Sequence, residues 1–224
     1  MPRPKVYDEM ALLDCAMETF WIRGYDRTSI QNLVGQTGVN RASLYGAYPD
    51  KRTLFIAGIR RYLDLVVEDN VRRLHAAEPA GEAVRQFFLK LVEAPAERMR
   101  RGCLLTNSAV EIGLEDEEVA ALIRGAFDRV EQAICDRLTE AQRANQLAEG
   151  VKPRALARHL VAVLQGIRVM ARVGVDRNVM RQAVGSALFP IPAGPGRPRT
   201  AGGKSRRTAK GTLQREQPGR PRVK

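Results

Sequence analysis

The stretch GVNRASLYGAYPDK, residues 38–51, gathers side chains that can contact nucleic acid within a short segment. An arginine guanidinium can pair with a guanine edge, and a small apolar side chain can touch a thymine methyl group. Serine, tyrosine and lysine commonly donate to phosphate oxygens. If the segment is helical, its early residues can face base edges and its later ones can lie near phosphates. The candidate DNA-binding residues in this segment are Asn40, Arg41, Ala42, Ser43, Tyr45, Gly46 and Lys51.

A sharp turn and two capped helices would position these side chains. Gly38 adopts a positive φ at low cost, and Asn40 is a favourable N-cap for a helix that starts at Arg41. Pro49 ends this helix, and Asp50 caps a long fourth helix. Within the third helix Gly46 costs about 0.5–1 kcal/mol relative to alanine, and we interpret it as allowing close approach to the DNA backbone.

The residues before the turn predict two further helices. The first runs from about Tyr7 to Arg23, and Gly24 stops it. We expect Thr28 and Gln31 to form a capping box at the start of a second helix that reaches about residue 37. Thr28 and Ser29 would then offer hydroxyls and free amides to DNA phosphates. Together with the turn, this pattern is a helix-turn-helix.

The N-terminal sixty residues resemble the TetR family of bacterial transcriptional regulators. The matching positions are Ala16, Phe20, Gly24-Tyr25, Thr28-Ser29-Ile30, Gly38-Val39, Leu44-Tyr45, Tyr48 and Asp50-Lys51. The segment GCLLTNSAVEIG at 102–113 also resembles part of the ligand-binding half of the proteins in one branch of that family. The resemblance implies a homodimeric regulator, most often a repressor, that binds a palindromic double-stranded DNA operator and responds to a small-molecule effector.

Helical spacing of apolar residues dominates the whole chain, so the expected fold class is all-α. We predict a helix-turn-helix domain over residues 1–50 and a helical effector-binding and dimerisation domain over 51–189. Residues 190–224 are rich in Pro, Gly, Arg and Lys, and we expect a disordered basic tail there. Further helices are expected at about 116–146, 153–173 and 177–188.

The helix that starts at Pro153 carries apolar residues over a face too wide for one core, so part of it is expected to pack against a second subunit. With the last helix it would form a two-fold four-helix interface. The expected interface residues are Leu156, Leu160, Val163, Leu164, Ile167, Met170, Met180, Val184 and Leu188.

The effector pocket implied by the resemblance lies among the central helices. Candidate pocket residues are Cys103, Thr106, Asn107, Val110, Phe127 and His159. Two of these have a structural alternative, since His159 also fits a hydrogen-bonded internal histidine and Cys103 a small buried side chain.

The net charge of +12 is concentrated at the ends of the chain. Residues 190–224 contain ten basic residues against Glu216 alone, which favours a polyanionic partner. The motif PGRPR occurs there at 195–199 and 218–222 and is similar to the core of AT-hook peptides. The alternative function is therefore an architectural DNA-binding protein that relies on this tail and has no effector.

The remaining patterns argue against other classes of protein. The chain has two histidines and no nucleophile, P-loop or dinucleotide-binding motif, so an enzyme is not expected. Its three cysteines lack metal-ligand spacing, and neither a metal nor another cofactor is expected. With no membrane span or signal peptide predicted, we expect a cytoplasmic protein without a membrane partner.

Overall fold

A computed structural model describes residues 8–193, and within that range every regular element is helical. The predicted all-α fold class is confirmed. The elements are α1 (Glu9–Arg23), α2 (Ile30–Thr37), α3 (Arg41–Ala47), α4 (Lys51–Tyr62), a π-helical turn (Leu63–Val67), α5 (Glu68–Ala76), α6 (Ala80–Glu93), α7 (Ala96–Arg100), α8 (Leu104–Ile112), α9 (Glu117–Arg143), α10 (Pro153–Arg172) and α11 (Arg177–Ala187).

The observed helix limits lie close to the predicted ones. Asp8 caps α1 through hydrogen bonds to the amides of Met10 and Ala11, while the predicted start at Tyr7 lies outside the described residues. The long helix α9 begins after its N-cap Asp116, whose carboxylate accepts from Val119. The acidic run 115–118 is therefore a capped helix start, which the helix dipole favours.

The first hydrophobic cluster lies at the N-terminal end of the molecule. Phe20 of α1 packs edge to face against Phe55 of α4, with 5.0 Å between the ring centroids. The cluster also contains Leu104 and Leu105 of α8 and Ile123 of α9. The predicted boundary between residues 50 and 51 thus does not separate two cores, because α4 and the start of α9 share one with α1.

The second cluster joins α5, α6, the second half of α9, α10 and α11. It extends past the predicted end of the helical domain at residue 189. Ile191 is buried, its carbonyl accepts from Arg85, and the carbonyl of Pro190 accepts from the amide of Ala148. The predicted tail therefore starts too early at residue 190; the rest of it, from 194, lies outside the described residues.

Glu111 near the end of α8 connects this helix to the helix-turn-helix. Its carboxylate oxygens accept hydrogen bonds from the backbone amides of Tyr25 and Asp26, at 2.9 and 3.0 Å. Both amides lie in the loop between α1 and α2. Because hydrogen bonds to a carboxylate are stronger than those between neutral groups, this contact holds the helix-turn-helix on α8.

Two arginines of α4 make a second connection, to the N-terminus of α9. Arg52 forms a bidentate pair with Asp116, at 2.6 and 2.9 Å, and also reaches Glu118. Arg60 binds the same Glu118 at 3.1 Å. The side-chain hydrogen bond from Arg52 holds the pKa of Asp116 below its usual value.

A π-helical turn interrupts the long helical run from Lys51 to Ala76. Such turns are rare and are frequent at functional sites. This one lies where the run passes from the first hydrophobic cluster, which contains Tyr62 and Val67, to the second, which contains Leu74. The π-helical turn therefore lies between the part of this run that packs in the first cluster and the part that packs in the second.

The substitution Gly24→Ala tests the connection through Glu111. Gly24 has φ of +87°, and an added Cβ would lie 2.7 Å from the carboxylate oxygens of Glu111. We expect a loss of about 2–4 kcal/mol in the free energy of unfolding, measured in urea, from backbone strain and displacement of the carboxylate. Gly150→Ala is the matched control, because Gly150 has φ of +79° but open space around it. Equal losses in the two variants would contradict a role for Glu111.

Candidate nucleic-acid interface and ligand cavity

The turn between α2 and α3 has the predicted geometry. Gly38 adopts the left-handed conformation, with φ of 68° and ψ of 2°, and Val39 after it is buried. The side chain of Asn40 caps α3 by accepting from the amide of Ser43 at 2.9 Å. Asp50 caps α4 in the same way, through the amide of Thr53 at 2.6 Å. These predicted caps are confirmed.

The predicted capping box was wrong by one residue. Ser29 is the N-cap of α2, and its partner is Asn32, whose side chain accepts from the Ser29 amide at 3.0 Å. The hydroxyl of Thr28 instead donates to the carbonyl of Gly24 at 2.6 Å, and Thr28 is fully buried. Thr28 therefore cannot offer its hydroxyl to a phosphate, whereas Ser29 remains exposed.

The candidate reading residues share one exposed side of α3. Arg41, Ala42, Tyr45 and Gly46 are exposed, while Leu44 on the opposite side is buried in the first cluster. The guanidinium of Arg41 lies 5.5 Å from the centre of the Tyr45 ring, one helical turn away. A Cβ at Gly46 would meet nothing within 4 Å, so this side of α3 is open to a partner. Ser43 lies at its edge and is half-buried.

Lys51 is held by the loop after α1. Its ammonium donates to the carbonyl of Tyr25 at 3.0 Å and lies 4.0 Å from the centre of the Tyr25 ring. Since an ammonium group has three donors, contact with a phosphate is compatible with this arrangement. The predicted phosphate contact of Lys51 stays a prediction, and the structure adds a positioning role in which α4 fixes the loop.

Most of the predicted dimer residues lie inside the protomer. Seven of the nine are buried in the second cluster, so they pack against the chain's own helices: Leu156, Leu160, Leu164, Ile167, Met180, Val184 and Leu188. Val163 and Met170 are half-buried beside them. The apolar face of α10 is wide because α9 and α11 both pack on it, and this intrachain contact corrects the predicted assignment.

The outward side of α10 carries small or apolar residues and one histidine instead. They recur every three or four positions and form a stripe, hereafter the α10 stripe: Ala155, His159, Ala162, Gly166, Val169 and Val173. On α11 and just after it, Val179 and Phe189 are also exposed, Phe189 to 84%. Within the described residues this face holds few charges, which is unusual for solvent-exposed helices.

A cavity of about 340 Å³ lies between the helix-turn-helix end and the second cluster. Its walls come from α1, α4, the π-helical turn, α5, α6, α7 and α10. Trp21 and Tyr62 line one side, with ring centroids 4.9 Å apart, and Phe87 and Ile167 line the other. Concave, mostly apolar spaces of this size are typical of small-molecule sites.

None of the six predicted pocket residues lines this cavity. Val110 and His159 are exposed on the protomer surface, and Phe127 packs on the first cluster. Thr106 hydrogen-bonds Gln165 at 2.6 Å, and Asn107 donates to the carbonyl of Arg101. These two polar side chains are thus used to hold α8 against its neighbours, and the structure does not bring the six together.

Cys103 lies just behind the cavity wall. It is buried, and its sulfur accepts a hydrogen bond from the Tyr62 hydroxyl at 3.4 Å. Burial raises the pKa of the Cys103 thiol, but the nearby Arg168 guanidinium and the hydrogen bond from Tyr62 outweigh it, so the pKa lies below its ordinary value. Burial likewise raises the pKa of the Tyr62 hydroxyl. Cys103 therefore does not line the cavity, but it holds the hydroxyl of Tyr62, a residue that does.

Sequence reasoning missed the residues that connect and line the site. Glu111, Arg52 and Arg60 join elements that are far apart in sequence, and their surface-type side chains gave no signal. Trp21 and Arg168 line the cavity, but neither was assigned a role from the sequence. A hint was available in α10, where Arg168 follows the largely apolar run 160–167.

Within residues 8–193, no helix is long and apolar enough to cross a bilayer. No group of three or more His, Cys, Asp or Glu side chains in that range could hold a metal ion.

Two family models match the chain. Residues 12–57 match the model described as bacterial regulatory proteins, tetR family, and residues 81–187 match the tetracyclin repressor-like C-terminal domain. Among curated relatives, the HTH-type transcriptional regulator YezE of Bacillus subtilis is 32% identical over 84% of this chain and 98% of its own length. The Escherichia coli HTH-type transcriptional repressor ComR is 28% identical over 83% of this chain and 90% of its own length.

Solved structures agree with these relatives. A cysteine-substituted form of the TetR family transcriptional regulator CifR, complexed with a 26-base-pair double-strand operator DNA, is 26% identical and has a TM-score of 0.70. It covers 85% of this chain and 100% of its own. A regulatory protein TetR from Rhodobacter sphaeroides has a TM-score of 0.73 at 19% identity and shares the fold. The relatives are DNA-binding regulators and not enzymes, and this chain belongs to the TetR family of bacterial transcriptional regulators.

Proposed function

We propose that this chain is a repressor that binds a palindromic operator as a homodimer and releases it when a small molecule enters the cavity. The observation that carries the proposal is the exposed side of α3, where Arg41, Ala42, Tyr45 and Gly46 face away from the protein. A helix with such a side can enter a major groove and read base edges. The similarity to the repressor ComR supports repression.

The α10 stripe supports a homodimer. Small side chains such as Gly166 and Ala162 let two helices approach closely, and the exposed Val169 and Val173 would become buried. Two-fold symmetry would then present two copies of α3 about 34–36 Å apart, one turn of DNA, to the two halves of a palindrome. His159 would lie at this interface instead of in the effector pocket.

The path from the cavity to the reading helix supports a ligand response. α8 begins directly after Cys103, which lies beside the cavity residues Tyr62 and Arg168, and near its other end Glu111 holds the loop after α1. A ligand that moves the cavity wall would displace α8 or α1 and so change the orientation of α3. Binding then shifts the population between DNA-competent and DNA-incompetent states.

Binding-site selection from random duplex DNA tests α3 as the reader. We expect the full chain to select a palindrome, and Arg41→Ala to bind it about 10- to 100-fold more weakly because a bidentate base contact is lost. Tyr45→Ala should also weaken binding. Arg72→Ala, an exposed arginine on α5, is the control. Selection of A·T-rich DNA without symmetry, unchanged in the α3 variants, would support the tail-based architectural function instead.

The substitution Gly46→Ala tests close approach of α3 to DNA. A Cβ there meets nothing within the protein, so we expect stability to rise by about 0.5–1 kcal/mol from helix propensity. Operator affinity should nevertheless fall, as measured by fluorescence anisotropy. Gly125→Ala in α9, also with open space around it, should raise stability without changing affinity. Unchanged affinity in Gly46→Ala would exclude close approach at this residue.

The substitution Gly166→Glu tests the dimer interface. Nothing in the described part of the chain lies within 4 Å of a Cβ at Gly166, so the fold should tolerate the change. Two glutamates facing each other across a two-fold axis should repel and lose solvation, giving monomers by light scattering and weaker operator binding. Gly125→Glu serves as the control and should stay dimeric. A dimeric Gly166→Glu protein would show that the α10 stripe is not the interface.

A further inference from the structure

The lining of the cavity is mostly apolar but also positively charged. Of the nineteen residues that line it, four are basic and none is acidic: Arg73, Lys90, Arg98 and Arg168. Arg73 pairs with Asp69 at 2.7 Å, but no anion among the described residues pairs with Lys90 or Arg98. The exposed side chains of Arg73, Lys90 and Arg98 lie where the cavity opens to solvent. Its entrance therefore attracts anions.

Arg168 brings a cation to the inner wall. Its guanidinium lies against the Tyr62 hydroxyl and the Cys103 thiol, and no carboxylate among the described residues pairs with it. The Nε–H of Arg168 is buried and has no acceptor within residues 8–193. Since a guanidinium stays charged in proteins, this donor is costly to leave unsatisfied, and a ligand that accepts from it would remove the cost.

Trp21 supplies a second unsatisfied donor in the same wall. Its Nε1–H is buried without an acceptor among the described residues, and its ring lies between Tyr62 and the guanidinium of Arg101. Three further buried arginine Nε–H groups among the described residues also lack an acceptor, but Trp21 and Arg168 are the two of these five residues that line the cavity, and a ligand acceptor is the partner we infer for them. A carboxylate has two oxygens and can accept from both.

The rest of the cavity suits an apolar body of limited size. Leu74, Phe87, Leu91, Met99 and Ile167 line it. The volume of about 340 Å³ lies at the low end of the roughly 300–1,000 Å³ typical of small-molecule sites, which suits a ligand with on the order of ten carbons. We propose that the cavity binds a monocarboxylate carried on an alkyl or aryl body of about ten carbons, with its carboxylate at Arg168 and Trp21. This assignment rests on the proposed ligand response and names its chemical class.

Three probes with the same chain and different heads test the assignment: decanoate, 1-decanol and decylamine. Trp21 is the only tryptophan of the chain and lines the cavity, so its emission reports occupancy without DNA. We expect decanoate to bind about 10- to 100-fold more tightly than 1-decanol, as for a hydrogen bond to a charged group, and decylamine to bind most weakly. Equal binding of decanoate and 1-decanol would overturn the proposal.

Variants of Arg168 make the test specific. Arg168→Met should lose the preference for decanoate while keeping the affinity for 1-decanol. Arg98→Gln should lower the affinity for decanoate only slightly, and only at low salt. Arg158→Met is the control, since Arg158 lies on α10, pairs with Glu131 and does not line the cavity. If Arg168→Met does not fold, Arg168→Lys keeps the charge without the Nε–H, and a reduced preference is expected. A preference that survives in the folded Arg168 variant would overturn the proposal.

Operator binding by the full-length chain separates this inference from the proposed function. Release of the selected operator by decanoate would support both. Decanoate that shifts Trp21 emission but leaves the operator bound would support the carboxylate site and refute the ligand response. A protein that selects an operator but shows no preference for decanoate would refute the carboxylate site and leave the DNA-binding function intact.

Discussion

The position of the DNA-reading part depends on one carboxylate. Glu111 accepts from two consecutive backbone amides, and only a glycine at position 24 leaves room for it. Because these amides belong to the loop before α2, the loop cannot move without α8. Arg52 and Arg60 add charged contacts between α4 and α9, but they are exposed and contribute less. The helix-turn-helix thus shares the first hydrophobic cluster with α8 and α9, and these polar contacts add defined points of attachment.

Local features of the helix-turn-helix could be predicted from the sequence. A cap such as Asn40 or Asp50 acts within three residues, and the turn at Gly38 needs only a residue that tolerates positive φ. The error at Thr28 has the same origin, since Thr and Ser are both good caps and adjacent. The choice between them was made by the tertiary structure, which buries Thr28 against Gly24. Glu111 and the cavity residues depend on contacts between distant segments, which periodicity does not reveal.

The dimer residues illustrate a different limit. An apolar position such as Leu160 or Leu164 looks the same in sequence whether it packs on its own chain or on a partner. In α10 the large side chains are used within the protomer, and the outward side keeps small ones such as Gly166. Small residues contribute little to a hydrophobic pattern, so the pattern predicted an interface on the side of α10 that the protomer's own helices cover. The cavity was missed for a related reason, because its walls come from seven elements.

The π-helical turn at Leu63–Val67 also sets the angular register of the chain. A wide turn of this kind accommodates an extra residue, and each residue of an α-helix rotates the following ones by about 100°. Tyr62 before it can therefore face α1 and α8 while Leu74 after it faces the second cluster. Loss of one residue here would give a regular helix whose two halves point in incompatible directions. Among homologous chains, the length of this segment should consequently be more constrained than the identity of its side chains.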